Sequence, residues 1–176
     1  MPFKRSPRLK AFDYVGLHRY FLTICTENRH QAFTGAADVV SAMTQLRTTS
    51  SDESFAVIAY CFMPDHLHLL LEGLTDAADF RECVRIFKQR SSFYWKRVHG
   101  TVLWQRNYFE HVLRSDEDAN EVARYLLANP VRAGLVKAPE QYPFLGSFTL
   151  DVKDLLDSVQ VSDQAHLKVR LYDPRE

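Results

Sequence analysis

The chain has 176 residues, 46% hydrophobic and 12% aromatic, which suits one packed core and is too apolar for a disordered or fibrous chain. Lysine plus arginine and aspartate plus glutamate each number 22, so the formal net charge is zero and no global field marks a polyanionic partner. No run approaches the ~18 to 20 consecutive apolar residues of a membrane span, and the start MPFKRSPRLKAF lacks an apolar signal segment, so a cytoplasmic protein without a membrane partner is expected.

Three cysteines, Cys25, Cys61 and Cys83, show no ligand spacing and sit among apolar neighbours, which argues against disulfides and a zinc knuckle. Charge is locally uneven. Lys4, Arg5, Arg8 and Lys10 crowd the N-terminus, Arg81 to Arg97 make a basic middle, and the C-terminal end is acidic.

HRYFLTICTEN, His18 to Asn28, is aromatic and β-branched and predicts a strand closed by a polar turn. In Ala36 to Thr48, Val39, Val40, Met43 and Leu46 fall at helical spacing. SFAVIAYCFM and HLHLLLEG then predict two strands joined by a tight Pro64-Asp65 turn. From Asp76 to His99 a long helix is expected, with Phe80, Val84, Phe87, Ser91, Tyr94 and Val98 on one face and Arg81, Arg85, Lys88 and Lys96 along a neighbouring one. Tyr108 to Arg114 alternates like a short strand. Ser115, followed by three acids, predicts a helix start, and Pro130 a stop after about Asn129.

The order β-α-β-β-α-β-α predicts an α+β fold. Its first six elements match a ferredoxin-like split βαβ, an antiparallel sheet with helices on one face and an extra C-terminal helix. We expect one domain over residues 1–148 and a C-terminal tail, 149–176, with enough leucines for a further helix.

Alternate strand residues share a side, so His66 and His68 project together while Leu67 anchors the strand from the opposite side. Side by side, two imidazoles can supply two legs of a metal site. Taken alone, such a pair is more often two exposed or internally hydrogen-bonded histidines. On the last helix Tyr125 and Asn129 are one turn apart, and an asparagine oxygen can coordinate a hard cation. Their plainer readings are an aromatic at the core's edge and a helix-terminal cap.

YCFMPDHLHLLLE, a basic helix, LWQRNYFEHVLR and RYLLANPVRAGLV, in this order, resemble the single-tyrosine transposases of the HUH nuclease superfamily, above all the branch associated with repetitive extragenic palindromes (REP) in bacteria. The resemblance runs from about His18 to Phe148. It implies that His66 and His68 bind a divalent metal, Mg2+ or Mn2+, with Asn129 as third ligand, and that Tyr125 is the nucleophile. Tyr108 competes for that role but precedes the last core strand. The implied activity is cleavage and rejoining of single-stranded DNA through a 5′-phosphotyrosine and a free 3′-hydroxyl. A phenol suits both directions, since it leaves more readily than an alkyl alcohol.

The implied partner is hairpin or palindromic single-stranded DNA, bound by a monomer or a homodimer. Arg81, Arg85, Lys88, Lys96, Lys4 and Arg5 are candidates for phosphate contacts. Trp104 and Tyr108 are candidates for base stacking or, more simply, for core anchors. Two rivals stand beside this reading: a non-catalytic nucleic-acid-binding module, and a metal-dependent phosphodiesterase. HLHLLLEG lacks the further Asp-His of HxHxDH hydrolases, which weighs against the second.

Overall fold

A computed structural model describes residues 12–157 of the chain. Its elements are β1 (Arg19–Cys25), α1 (Ala36–Asp52), β2 (Phe55–Met63), β3 (His66–Gly73), α2 (Phe80–His99), β4 (Phe109–Val112), α3 (Ala119–Leu127), α4 (Asn129–Arg132), β5 (Leu145–Gly146) and α5 (Val152–Asp157). The strands form one five-stranded sheet in the order β4-β1-β3-β2-β5, with every pairing antiparallel. The first four strands follow the split-βαβ plan expected from the sequence.

Side-chain alternation assigns the faces. Tyr20, Leu22 and Ile24 of β1 and Leu67, Leu69 and Leu71 of β3 join Val39, Leu46, Phe80, Val84 and Phe87 in one core beneath α1 and α2. Phe21, Leu70, Ile58, Ala59, Cys61 and Met63 join Val122, Ala123, Leu126 and Leu127 in a second core beneath α3. The sheet is therefore buried on both faces, which explains why β2 and β3 read as continuous apolar runs rather than as half-wet strands. A bulge between Val57 and Ala59 resets the alternation in β2. Val57 before it and Phe62 after it thus reach the same core.

Several boundaries differ from the periodicity. Helix α2 starts at Phe80 rather than near Asp76, because Asp79 caps it by accepting from the amides of Arg81 at 2.9 Å and Glu82 at 3.1 Å. In its last turns Trp95 takes the buried position, leaving Tyr94 47% and Val98 76% exposed. Helix α3 starts at Ala119 with Asp118 as its cap, not at Ser115. The cause is Glu117, whose carboxylate folds back onto the Arg114 amide at 2.6 Å and the His111 ring at 3.0 Å.

Pro130 does not end the helical path. It is the second residue of α4, which follows Ala128 at the joint with α3. Having no N–H, Pro130 leaves the carbonyl of Leu126 without its backbone donor. The side-chain amide of Asn129 donates there instead, at 2.9 Å.

Beyond α4 the chain returns to add β5 to the β2 edge, and α5 sets buried Leu155 into the core under α3. Gly146 is required in β5, since a Cβ there would collide with the Tyr60 hydroxyl. No helix among the described residues is long and apolar enough to cross a membrane.

Candidate metal and nucleophile site

His66 and His68 project from the sheet face that α3 covers, opposite Leu67. The two rings are hydrogen-bonded to each other, Nε2 to Nε2 at 3.0 Å, and lie nearly perpendicular at 86°; the internally hydrogen-bonded pair that the sequence allowed is therefore what the structure holds. Each ring is held by its other nitrogen. His66 Nδ1 is 2.6 Å from the Asp65 carboxylate, and His68 Nδ1 is 2.8 Å from the Thr23 hydroxyl, directly across the β1–β3 ladder. A carboxylate only accepts, so Asp65 fixes the His66 proton on Nδ1 and leaves Nε2 with its lone pair. Phe21 stacks on His68 at a centroid distance of 5.6 Å.

Asp65 is also paired with Arg29 at 2.9 Å. Burial pushes its carboxyl upward, but the His66 hydrogen bond and the Arg29 charge outweigh that and hold it below the ordinary carboxylate value.

This donor set fits a divalent cation. Two nitrogens each about 2.1 Å from one ion and at right angles lie about 3.0 Å apart, the separation of the Nε2 pair. Hydrogen-bonded partners behind both ligating rings are also what a metal site requires. Among the described residues no group of three or more His, Cys, Asp or Glu could hold an ion. Asn129 is 3% exposed on the same side of the molecule, and its Nδ2 is committed to the carbonyls of Leu126 and Tyr125. The amide nitrogen is thereby used as a helix cap, so a ligand role would fall to the amide oxygen.

Tyr125 is half-buried against the core under α3, in the layer that covers the histidine face. The Arg132 guanidinium lies 4.2 Å from its ring centroid. Tyr108 packs in the opposite core, against Phe80 with the Lys88 ammonium over its ring, so the sheet separates it from the histidines. Trp104 is a core anchor, buried and donating to Ser91 Oγ at 2.9 Å. The histidines themselves are more enclosed than a strand facing substrate suggests, at 3% and 1% exposed.

The expected phosphate contacts divide. Lys88 donates to the carbonyls of Gln105 and Arg106 at 2.7 and 3.0 Å and so ties down the loop before β4. Arg85 is paired with Glu82 on the helix surface. Arg81 lies over the Tyr14 ring at 4.2 Å, and Lys96 is exposed. All four belong to α2, on the sheet face away from the histidines. Lys4 and Arg5 lie outside the described residues.

The sequence reading missed Thr23, Asp65, Arg29 and Arg132. Arg132 had a signal, seven residues or two turns from Tyr125. Asp65 had one in its adjacency to His66. Thr23 and Arg29 become visible only with the strand register.

Residues 14–129 match the family described as "Transposase IS200 like". The chain belongs to the IS200-like transposase family. The matched segment contains His66, His68, Tyr125 and Asn129, and membership makes this a chain of a DNA-processing enzyme family. A Haemophilus influenzae protein named "Putative REP-associated tyrosine transposase" is 28% identical over 158 residues, covering 80% of this chain and 85% of that one. The REP-associated tyrosine transposase of Escherichia coli is 28% identical over 101 residues, 57% of this chain and 59% of that one. A solved REP-associated tyrosine transposase bound to a REP hairpin superposes with a TM-score of 0.65 at 23% identity, over 82% of each chain. At that identity the likeness speaks for the fold.

Proposed function

We propose that this chain cleaves and rejoins hairpin-containing single-stranded DNA, with Tyr125 as nucleophile and His66, His68 and Asn129 as metal ligands. The observation that carries the reading is the convergence of His66 Nε2 and His68 Nε2 to 3.0 Å on the face covered by the helix of Tyr125. A divalent cation, Mg2+ or Mn2+, held by the two Nε2 atoms and the Asn129 amide oxygen would polarise the scissile phosphate.

The chain's own groups supply the rest. Asp65 and Thr23 keep both imidazoles aimed, so a cation would have to displace only the proton shared between the two Nε2 atoms. Tyr125 gives up its phenolic proton as its oxygen bonds to phosphorus, and the bond from phosphorus to the 3′-oxygen breaks. That oxygen takes up a proton and leaves as a 3′-hydroxyl, while the 5′-phosphate stays on the tyrosine. The reverse sequence rejoins the strand without an outside energy source. Lys96 and the arm residues Lys4 and Arg5 are candidates for flanking phosphates, Lys96 only where the DNA wraps to the α2 face, whereas Arg81, Arg85 and Lys88 would first have to release their present partners. The REP hairpin bound by the structural neighbour supports hairpin DNA as the substrate class.

The test is incubation with a 3′-end-labelled hairpin oligonucleotide and Mn2+. We expect a labelled, SDS-resistant band that disappears with EDTA and in the double variant His66→Ala, His68→Ala. An undiminished band in the double variant refutes the metal assignment. Binding without any adduct, unchanged by chelation, favours the non-catalytic module.

A further inference from the structure

We propose that Arg29 and Asp65 form a positioning relay that fixes His66 as a ligand, and that the left-handed turn before Arg29 is kept because it delivers this guanidinium. The inference rests on the metal-site reading and extends it to a residue remote in sequence from every motif.

Asn28 and Arg29 have φ of 51° and 57°. Two successive side-chain-bearing residues in the left-handed region are costly and persist only where the surroundings hold them. The surroundings here are bonded to Asp65 itself. Thr26, fully buried, donates to the Asp65 carbonyl through its amide at 3.0 Å and its hydroxyl at 2.9 Å. The Thr26 hydroxyl is also 2.7 Å from the His30 carbonyl, on the far side of the turn. The turn and the β2–β3 corner are therefore one unit.

From that unit the Arg29 guanidinium reaches Asp65 Oδ2 at 2.9 Å and Cys25 Sγ at 2.9 Å, and Cys25 is the cross-strand partner of His66. The other carboxylate oxygen, Oδ1, receives His66 Nδ1 at 2.6 Å. With one oxygen on Arg29 and the other on His66, the carboxylate cannot turn, and neither can the imidazole behind it. Extended backbone at Asn28 and Arg29 would carry the guanidinium elsewhere. The strain thus serves to hold the His66 Nε2 where it meets that of His68.

The test is calorimetric titration of the full chain with Mn2+ in the absence of DNA, with melting curves recorded on the metal-free proteins. We expect Arg29→Ala to weaken Mn2+ binding by about 10-fold or more. Arg29→Lys should recover part of the loss, because an ammonium can pair with Asp65 but cannot also hold Cys25. If Arg29→Ala does not fold, Asp65→Ala carries the test with the same expected loss. Mn2+ affinity equal to wild type in the folded variant, whatever its melting temperature, overturns the relay. If His66→Ala abolishes binding while Arg29→Ala leaves it intact, only the relay falls. If the wild type binds no Mn2+, relay and metal site fall together.

Discussion

Replacing Thr23 by Val probes the histidine site without touching a ligand. Thr23 and His68 are both essentially buried, and a 2.8 Å hydrogen bond joins the threonine hydroxyl to His68 Nδ1. Valine keeps the shape but removes the hydroxyl, leaving a buried ring nitrogen without its partner at a cost of about 1–3 kcal/mol. The added apolar methyl returns up to about 0.8 kcal/mol, so a net loss of roughly 1–2 kcal/mol is expected. In a protein of this size that lowers Tm by about 2–8 °C. The effect on the site should exceed the effect on the fold: with the His68 ring no longer aimed, Mn2+ affinity should drop about 10–100-fold, whereas Thr23→Ser should retain both properties. Thermal melts and Mn2+ titration of the three proteins decide it. If Thr23→Val melts with the wild type and binds Mn2+ within a factor of two of it, the hydrogen bond does not orient His68.

Arg132→Ala removes the cation over the Tyr125 ring, a contact of about 0.5–1 kcal/mol at an exposed site. Single-turnover adduct formation should slow by about 2- to 5-fold, with hairpin affinity little changed; an unaltered rate denies Arg132 a part in holding the nucleophile. Burial, with the charges of Glu53 and Asp79, pushes the Cys83 thiol up to about 12 from its ordinary 9.0. The folded state therefore holds this proton more tightly than the unfolded chain, so the stability Cys83 contributes is intact below pH 9 and is lost as pH rises towards 12. Urea melts from pH 8 to 11 should show a steeper fall for wild type than for Cys83→Ala, and parallel curves would contradict the assignment. Lys88→Ala should loosen the segment before β4, read as faster amide exchange in residues 103–108, because the ammonium bridges two carbonyls there; unchanged exchange would leave Lys88 to the DNA.

The strands and α2 were legible because aromatic, β-branched and helical-period patterns are local. The shared side of His66 and His68 followed from strand geometry alone. What stayed hidden depends on distant pairing. Nothing local to β1 marks Thr23 as the partner of His68 across the ladder, and no pattern in Phe55–Met63 announces the bulge that resets it. The two-residue strand β5 exists only because β2 offers an edge and Gly146 clears Tyr60. Ser115 looked like a helix cap because the rule counts residue types and cannot see Glu117 bonding backwards to His111. Pro130 looked like a stop because the rule omits the Asn129 amide that takes over its missing donor. Asn129 was legible as two alternatives, a cap and a ligand, and the structure shows the cap.

The central claim is that one tyrosine of the α3 layer becomes covalently attached to DNA. Protease digestion of the SDS-resistant adduct, followed by mass spectrometry of the nucleotide-bearing peptide, tests it most directly. The account predicts a single 5′-phosphorylated peptide carrying the modification on Tyr125 and no adduct from Tyr125→Phe. A modification on Tyr108 or any other residue, or an adduct that survives Tyr125→Phe, contradicts it.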